Sequence, residues 1–407
     1  MNKKIAVLVS NPCNSDARVL KMAYAARELG YEVRVFGITG LNIPAFEVLN
    51  GISFKRNEWK PVDLALNSWP LKGCTFFSMF LAKVIAVKLM PFIKYKLFSK
   101  IFIDDLIAYG PDLIHSHDFL CLPTAVKVKK ALPDVKVIYD AHELEVHRNP
   151  PLPFIKKNFV RWLEKKCAKQ ADGIITVGNE IANILSKSFK KNVTVLYNSP
   201  VISSYIHNIR EDLNLAADVR LIIYVGKVTV GRGVEDIIRL MPQLEDVFFA
   251  TIGPCSEKDR KNMYKVAAMH NVQHKMRILP PVPYEKVVEY IKGADLGIIS
   301  VEPVTLSYEL CMPNKLFELS FADIPILAND LPELKKYIES IGNGRLMEFE
   351  NKEVMASTIC EMLYDKKDYL FAGNAEKASR LVEYSWTEQK VKLEKMYLNL
   401  LNINANN

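Results

Sequence analysis

The feature that most constrains this chain is a strand-helix alternation that runs through it twice. Residues 5–10 form a short apolar run rich in β-branched side chains, residues 19–29 carry apolar groups at helical spacing and stop at Gly30, and residues 32–36 are extended again. That opening predicts a βαβ unit. Short buried strands are expected at 112–115, 135–139, 173–177 and 194–196, and a second series at 221–225, 247–252, 276–279, 296–300 and 326–328. A helical crossover returns the chain to the same end of a sheet, so strands spaced in this way pair in parallel. The expected fold is α/β, with two doubly wound parallel sheets. Tyr197-Asn198-Ser199-Pro200 ends one series in turn-forming residues, which places the domains at 1–200 and 201–375 with a terminal helix over 376–407. A chain of 407 residues, 49% of them hydrophobic, can fill two such cores.

Doubly wound sheets bind ligands beyond the carboxyl ends of their strands, and two such sheets facing one another make a cleft. The loops after strands therefore hold the candidates. Val225 is followed by Gly226-Lys227-Val228-Thr229-Val230-Gly231-Arg232-Gly233, a glycine-flanked loop with two cations that can wrap a phosphate. It has neither Walker nor Gly-x-Gly-x-x-Gly spacing, and a solvated surface turn fits the same residues. Further on, Pro313-Asn314-Lys315-Leu316-Phe317-Glu318 reads as a helix start with Asn314 at the N-cap. Its amides, its dipole and Lys315 suit a diphosphate, and Glu318 one turn later can reach sugar hydroxyls. Gly253-Pro254 and Val282-Pro283-Tyr284 are strand-end turns that can frame a nucleoside, Tyr284 by stacking on its base.

In the first half, the strand ends carry His115-Ser116-His117-Asp118 and Tyr139-Asp140-Ala141-His142-Glu143, and the first loop carries Asp16 and Arg18. His-x-His-Asp admits a metal reading, but no further ligand group is placed for it, and a polar cluster that merely caps a helix fits as well. No metal is expected. The seven cysteines are scattered without a Cys-x-x-Cys pair, which suits reduced thiols and a cytoplasmic setting, and the opening MNKKIAVLVS runs into a strand without signal-peptide character.

Charge divides the chain. Residues 1–200 hold 29 Lys and Arg against 17 Asp and Glu, a net of +12, while residues 201–407 hold 25 against 29, a net of −4. The excess is densest over 72–100, where Lys72, Lys83, Lys88, Lys94, Lys96 and Lys100 alternate with Phe76, Phe77, Phe80, Leu81, Ile85, Leu89, Phe92, Ile93, Leu97 and Phe98. No stretch there has the roughly 18 uncharged apolar residues of a spanning helix. The pattern suits a helix lying on anionic lipid, and equally a core helix whose lysines snorkel to water. Helical spacing of the aromatics argues against a nucleic-acid stacking platform.

Taken in order along the chain, Asp16-Ala17-Arg18-Val19-Leu20, His117-Asp118, Tyr139 to Glu143, the Gly226-Lys227 to Arg232-Gly233 loop, Pro313-Asn314-Lys315 to Glu318 and Ser385-Trp386 resemble bacterial glycosyltransferase family 4. The resemblance implies the GT-B architecture, two Rossmann-like domains with the nucleotide sugar held mainly by the second and the last helix returning to the first. It implies that Lys227, Arg232, Asn314 and Lys315 hold the donor diphosphate, that Glu318 binds the ribose, and that His142 lies beside the transferred sugar; Gly226 and Gly253 are expected in the nucleotide site from their strand-end turns. Asp16, Arg18, His117 and Asp118 would face the acceptor. The implied activity is retaining, metal-independent transfer from a UDP- or GDP-linked sugar. A lipid-linked or membrane-associated acceptor, a place on the inner face of the membrane and a role in surface polysaccharide assembly follow from joining this to the basic segment. A nucleotide-sugar epimerase of the same fold and a non-catalytic subunit are the alternatives. Two positions depart from the family pattern: Leu310 occupies the first position of the Glu-x7-Glu pair, with Glu309 one residue off, and Asp323 stands where a glycine is usual.

Overall fold

The computed structural model describes residues 3–66, 76–349 and 351–402, with only the backbone of 76–81. The chain forms two compact units, Met1–Leu196 together with Lys390–Asn407, and Tyr197–Gln389. In the first unit lie β1 (Lys4–Leu8), β2 (Glu32–Ile38), β3 (Phe46–Leu49), β4 (Ile52–Asn57), β5 (Leu113–His117), β6 (Lys136–Ala141), β7 (Gly173–Thr176) and β8 (Thr194–Val195). They form one sheet in the order β3-β4-β2-β1-β5-β6-β7-β8, parallel throughout except for the β3-β4 hairpin. The second unit has β9 (Arg220–Val225), β10 (Val247–Ile252), β11 (Met276–Leu279), β12 (Leu296–Ile299), β13 (Ile326–Asn329) and β14 (Gly344–Met347), all parallel, in the order β11-β10-β9-β12-β13-β14.

Both sheets carry apolar residues on both faces, as a strand sandwiched between helices requires. Ile5, Val7 and Leu8 of β1 and Leu221, Ile222 and Ile223 of β9 are fully buried. The chain winds outward from β1 in one direction through β2, then crosses to β5 on its other side. From β9 it winds through β10 and β11, then crosses to β12. Each crossing leaves two strand-end loops diverging from one point, and these are the places where a doubly wound sheet opens to ligand.

The structure adds elements absent from the expected pattern. β3 and β4 are joined by Asn50-Gly51, both with left-handed backbone (φ 50° and 77°), the conformation that joins two-residue hairpins. β14 extends the second sheet by one strand. The last helix, Trp386–Leu400, belongs to the first unit from Lys390 onward, and Tyr397 is wholly buried there.

The basic segment lies on a 34-residue helix, Phe76–Tyr109, with Pro91 inside it. Its second half is core, which narrows the lipid-facing reading of 72–100. Phe98 packs edge-on to Trp59 at 5.4 Å and against Phe102 at 4.9 Å, Tyr95 lies against Phe119, and Phe92 meets Phe159. Lys94 is half-buried with its ammonium 4.8 Å from the Tyr95 ring centre, and burial lowers its pKa. Ile85, Val87 and Leu89 are exposed beside Lys83 and Lys88. Lys72 and the side chains of Phe76, Phe77, Phe80 and Leu81 lie outside the described residues. Among the described residues no helix is long and apolar enough to cross a membrane. If this half is core, Phe98→Ala costs about 3–5 kcal/mol in urea denaturation, whereas exposed Val87→Ser stays within roughly 0.5 kcal/mol.

Candidate active site

In the second unit, the chain leaves β9 through Gly226, whose φ of 126° few side chains tolerate. Its amide donates to the Ile252 carbonyl at 2.8 Å, and the Val228 amide donates to the Pro254 carbonyl at 2.9 Å, so the loop is laid along the end of β10. A Cβ at Gly253 would stand 2.1 Å from the Gly226 oxygen, and one at Gly233 would stand 2.0 Å from Ser300 Oγ, just past β12. The glycine loop is thus wedged between the strand ends on either side of β9, at the sheet's point of divergence.

Lys315 reaches this point from the helix Asn314–Phe321. Its Nζ lies 3.5 Å from the centre of the Tyr224 ring, its stem lies beside Gly226, and only 9% of the residue is exposed. Burial first and Arg232 second lower its pKa, Glu318 and Cys311 act in the opposite sense, and the net value is about 7. Arg232 donates to the Tyr308 hydroxyl at 3.1 Å, with its guanidinium 5.3 Å from that ring's centre. Two cations are thus gathered against two tyrosines. Lys227 is exposed on the same loop, and Glu318 is half-buried on the helix.

Several expected details change. The N-cap is Pro313, in extended backbone, and Asn314 is the first helical residue; its Oδ1 accepts from Asn198 Nδ2 at 2.8 Å. Asn314 therefore does not cap with its side chain. Leu310 is buried, so an apolar contact replaces the first carboxylate of the pair. Asp323 has φ 56° and accepts from the Phe371 amide at 2.7 Å. The left-handed backbone explains the usual glycine, and aspartate is among the few side chains that tolerate it. Val282 and Tyr284 are half-buried after β11.

In the first unit, the charged groups are matched internally. Arg18 donates through Nε and Nη2 to both oxygens of Asp140, at 2.9 and 2.8 Å, and through Nη1 to the Leu196 carbonyl at 2.8 Å. Arg18 is 4% exposed and Asp140 fully buried. Burial opposes ionisation of Asp140, but Arg18 and His142 hold its carboxyl well below the usual range. His117 Nδ1 lies 3.3 Å from Asp140 Oδ2 and 3.2 Å from His142 Nε2. His115 stacks on His117 at 4.4 Å, and its Nδ1 meets the Tyr397 hydroxyl at 2.8 Å. Burial drives down the pKa of both His115 and His117. His142 behaves oppositely: burial lowers it, but Asp118, 3.4 Å from Nδ1, and Asp140 outweigh that and hold it at about 9. His142 keeps 21% of its side chain exposed. Asp118 opens its helix at φ 60°, a backbone that costs a non-glycine residue about 1–2 kcal/mol.

His115, His117 and Asp140 bring three ligand atoms together, but the Arg18 guanidinium already occupies both Asp140 oxygens. Arg18 and His117, expected on the acceptor side, are instead buried within the unit, while Asp16 accepts from the Val19 amide and Asn11 Nδ2 at the start of the first helix. Asp140, Tyr397, Tyr224 and Tyr308 complete the two clusters, and none was an expected site residue.

Two parallel doubly wound units, one with a cationic strand-end pocket and the other with a buffered histidine, define a glycosyltransferase of the GT-B class. Residues 17–199 match the Glycosyltransferase Family 4 model and residues 206–385 match Glycosyl transferases group 1, and the chain is a family 4-type enzyme. The uncharacterized glycosyltransferase MJ1607 of Methanocaldococcus jannaschii is 23% identical over 385 residues, covering 88% of this chain and 87% of that protein. TuaC of Bacillus subtilis, named for teichuronic acid biosynthesis, is 23% identical over 230 residues, 54% of each chain. The structure of Anabaena HepE with UDP and glucose superposes with a TM-score of 0.69 at 13% identity, over 98% of this chain and 100% of that one.

Because the folded pKa of His142 is raised, the stability it contributes is fully present below its unfolded value near 6.5 and is lost as pH rises through about 9. NMR titration of its imidazole is expected to give a midpoint near 9 in the wild type, moving down by roughly one unit or more in Asp118→Asn.

Proposed function

We propose that this enzyme is a retaining, metal-independent glycosyltransferase that moves a sugar from a UDP- or GDP-linked donor to a lipid-linked or membrane-associated glycan acceptor in surface polysaccharide assembly. The observation that carries the donor half is the pairing of Lys315 and Arg232 at the glycine loop, two cations gathered against the Tyr224 and Tyr308 rings. HepE, which shares the fold, is bound to UDP and glucose, and the name of TuaC supplies the link to a cell-wall polymer.

The chemistry follows from the leaving group. When the bond from the anomeric carbon to the β-phosphate oxygen breaks, negative charge collects on the diphosphate. Lys315, Arg232 and Lys227, with the positive end of the helix Asn314–Phe321, stabilise it as fixed charges that need no reorganisation. That is the work a divalent metal does in other transferases, and fixed cations make it unnecessary here. The acceptor oxygen attacks from the face the diphosphate leaves, and its proton passes to the departing phosphate oxygen. His142, kept charged by Asp118 and Asp140, sets a positive charge beside the transferred sugar. The enzyme works on the inner face of the membrane.

The test is a panel of nucleotide sugars in the presence of chelator, read by thermal shift and by release of free nucleotide. One UDP- or GDP-sugar is expected to stabilise the protein and to be turned over slowly, with Arg232→Ala losing both responses, and with the product keeping the donor's anomeric configuration by NMR. Inversion, or activity only with added metal, contradicts the reading.

A further inference from the structure

A second basic and apolar surface stands outside both strand-end clusters, on the helix Phe154–Ala168 of the first unit. Its sequence, FIKKNFVRWLEKKCA, carries Lys156, Lys157, Arg161, Lys165 and Lys166 against a single carboxylate, Glu164. The buried side holds Val160, Glu164, Cys167 and Ala168, and Glu164 accepts there from the Tyr139 hydroxyl at 2.8 Å. The one carboxyl group on the helix is therefore turned inward, where burial raises its pKa to about 8.

The outer side holds large apolar groups. Phe154 is 78% exposed, Ile155 73% and Trp162 55%. At helical spacing these three fall within an arc of about 100°. Arg161 and Lys166 flank them, and Lys166 Nζ lies 4.9 Å from the centre of the Trp162 ring. Phe159, between the two sides, packs edge-on against Phe92 at 5.1 Å and fixes the helix to the long helix Phe76–Tyr109. Three large apolar side chains held in water on a rigid helix are costly to leave uncovered. A tryptophan among lysines, with no outward carboxylate, is complementary to an anionic lipid surface: the aromatic sits at the headgroup level and the cations meet the phosphates.

We infer that the exposed face of the helix Phe154–Ala168 docks this enzyme on anionic phospholipid, with Phe154, Ile155 and Trp162 entering the interface and Arg161, Lys165 and Lys166 contacting headgroups. This rests on the reading of the acceptor as membrane-held, and it moves the principal contact away from residues 72–100.

Full-length protein is sedimented with vesicles of phosphatidylcholine alone or with about one third phosphatidylglycerol, over a salt series. Binding is expected only with the anionic lipid, falling with salt, and weakened about tenfold or more in Phe154→Ser/Trp162→Ser and in Arg161→Gln/Lys166→Gln. These positions are exposed, so circular dichroism should be unchanged, and stabilisation by UDP should persist; that separates failure of docking from failure of the donor reading. In the wild type, anionic vesicles should also shift to the blue an emission component that is missing in Trp162→Phe. No binding by the wild type, unchanged binding in both double variants, or loss only on Val87→Ser/Lys88→Gln in the long helix would overturn the assignment. So would a dimer in solution that becomes monomeric in Phe154→Ser/Trp162→Ser, which would make a second copy the occupant.

Discussion

A buried lysine next to an arginine is the interaction on which the second unit turns. Lys315 is held out of water with Arg232 close enough to repel it, and Glu318 and Cys311 oppose that repulsion without overcoming it. The pKa falls to about 7 because the empty site disfavours the ammonium. Such an arrangement is destabilising in the unoccupied protein, and the Tyr224 ring face returns only part of what the lost hydration cost. A dianionic diphosphate reverses the balance, since it supplies the charge the cluster lacks. The glycines follow from the same need: Gly253 lets two backbones approach more closely than any Cβ would permit, and Gly226 turns the chain at a φ of 126°, so the loop can lie down beside Lys315.

The first unit treats buried charge in the opposite way. Asp140 is enclosed, but Arg18 covers both of its oxygens, and the three histidines around it sort themselves by burial and by the number of carboxylates they meet. His115 and His117 are driven neutral, and His142, next to both Asp118 and Asp140, is driven charged. Breaking the Arg18-Asp140 pair from one side would strand a buried ion, the costliest kind of single change in a core. The carboxylate of this cluster is paired from within, while His115 Nε2 and His117 Nε2 are buried without a hydrogen-bond partner and His142 forms a cationic edge; the second unit leaves its charge to be satisfied from outside. Tyr397 ties the last helix into this arrangement through His115.

The strands of both sheets were legible because parallel strands are short, apolar on both faces and set off by turn residues. That Lys315 and Arg232 lie near the glycine loop was legible in part, because one opens a helix and the other follows a strand. Arg18-Asp140 was not, since a contact between residues 122 positions apart leaves no local trace. The β3-β4 hairpin was missed although Asn50-Gly51 is a strong turn signal, because its edge strands are half-exposed and lack an apolar run. Asn314 was placed one residue early: proline holds the extended cap, and the asparagine side chain is drawn to Asn198. Over residues 72–100 lysines and aromatics at helical spacing fit a lipid face and a core helix equally, and only the partners of Phe98 and Tyr95 distinguish the two.

The most direct measurement is the proton balance of UDP binding, by titration calorimetry at pH 8 in buffers of different ionisation enthalpy. With Lys315 near 7 in the empty site and charged against phosphate, binding should take up close to one proton, and Lys315→Met should bind weakly with no uptake at that site. Tight binding by Lys315→Met, or wild-type binding without proton uptake, would contradict the claim that this lysine awaits the diphosphate.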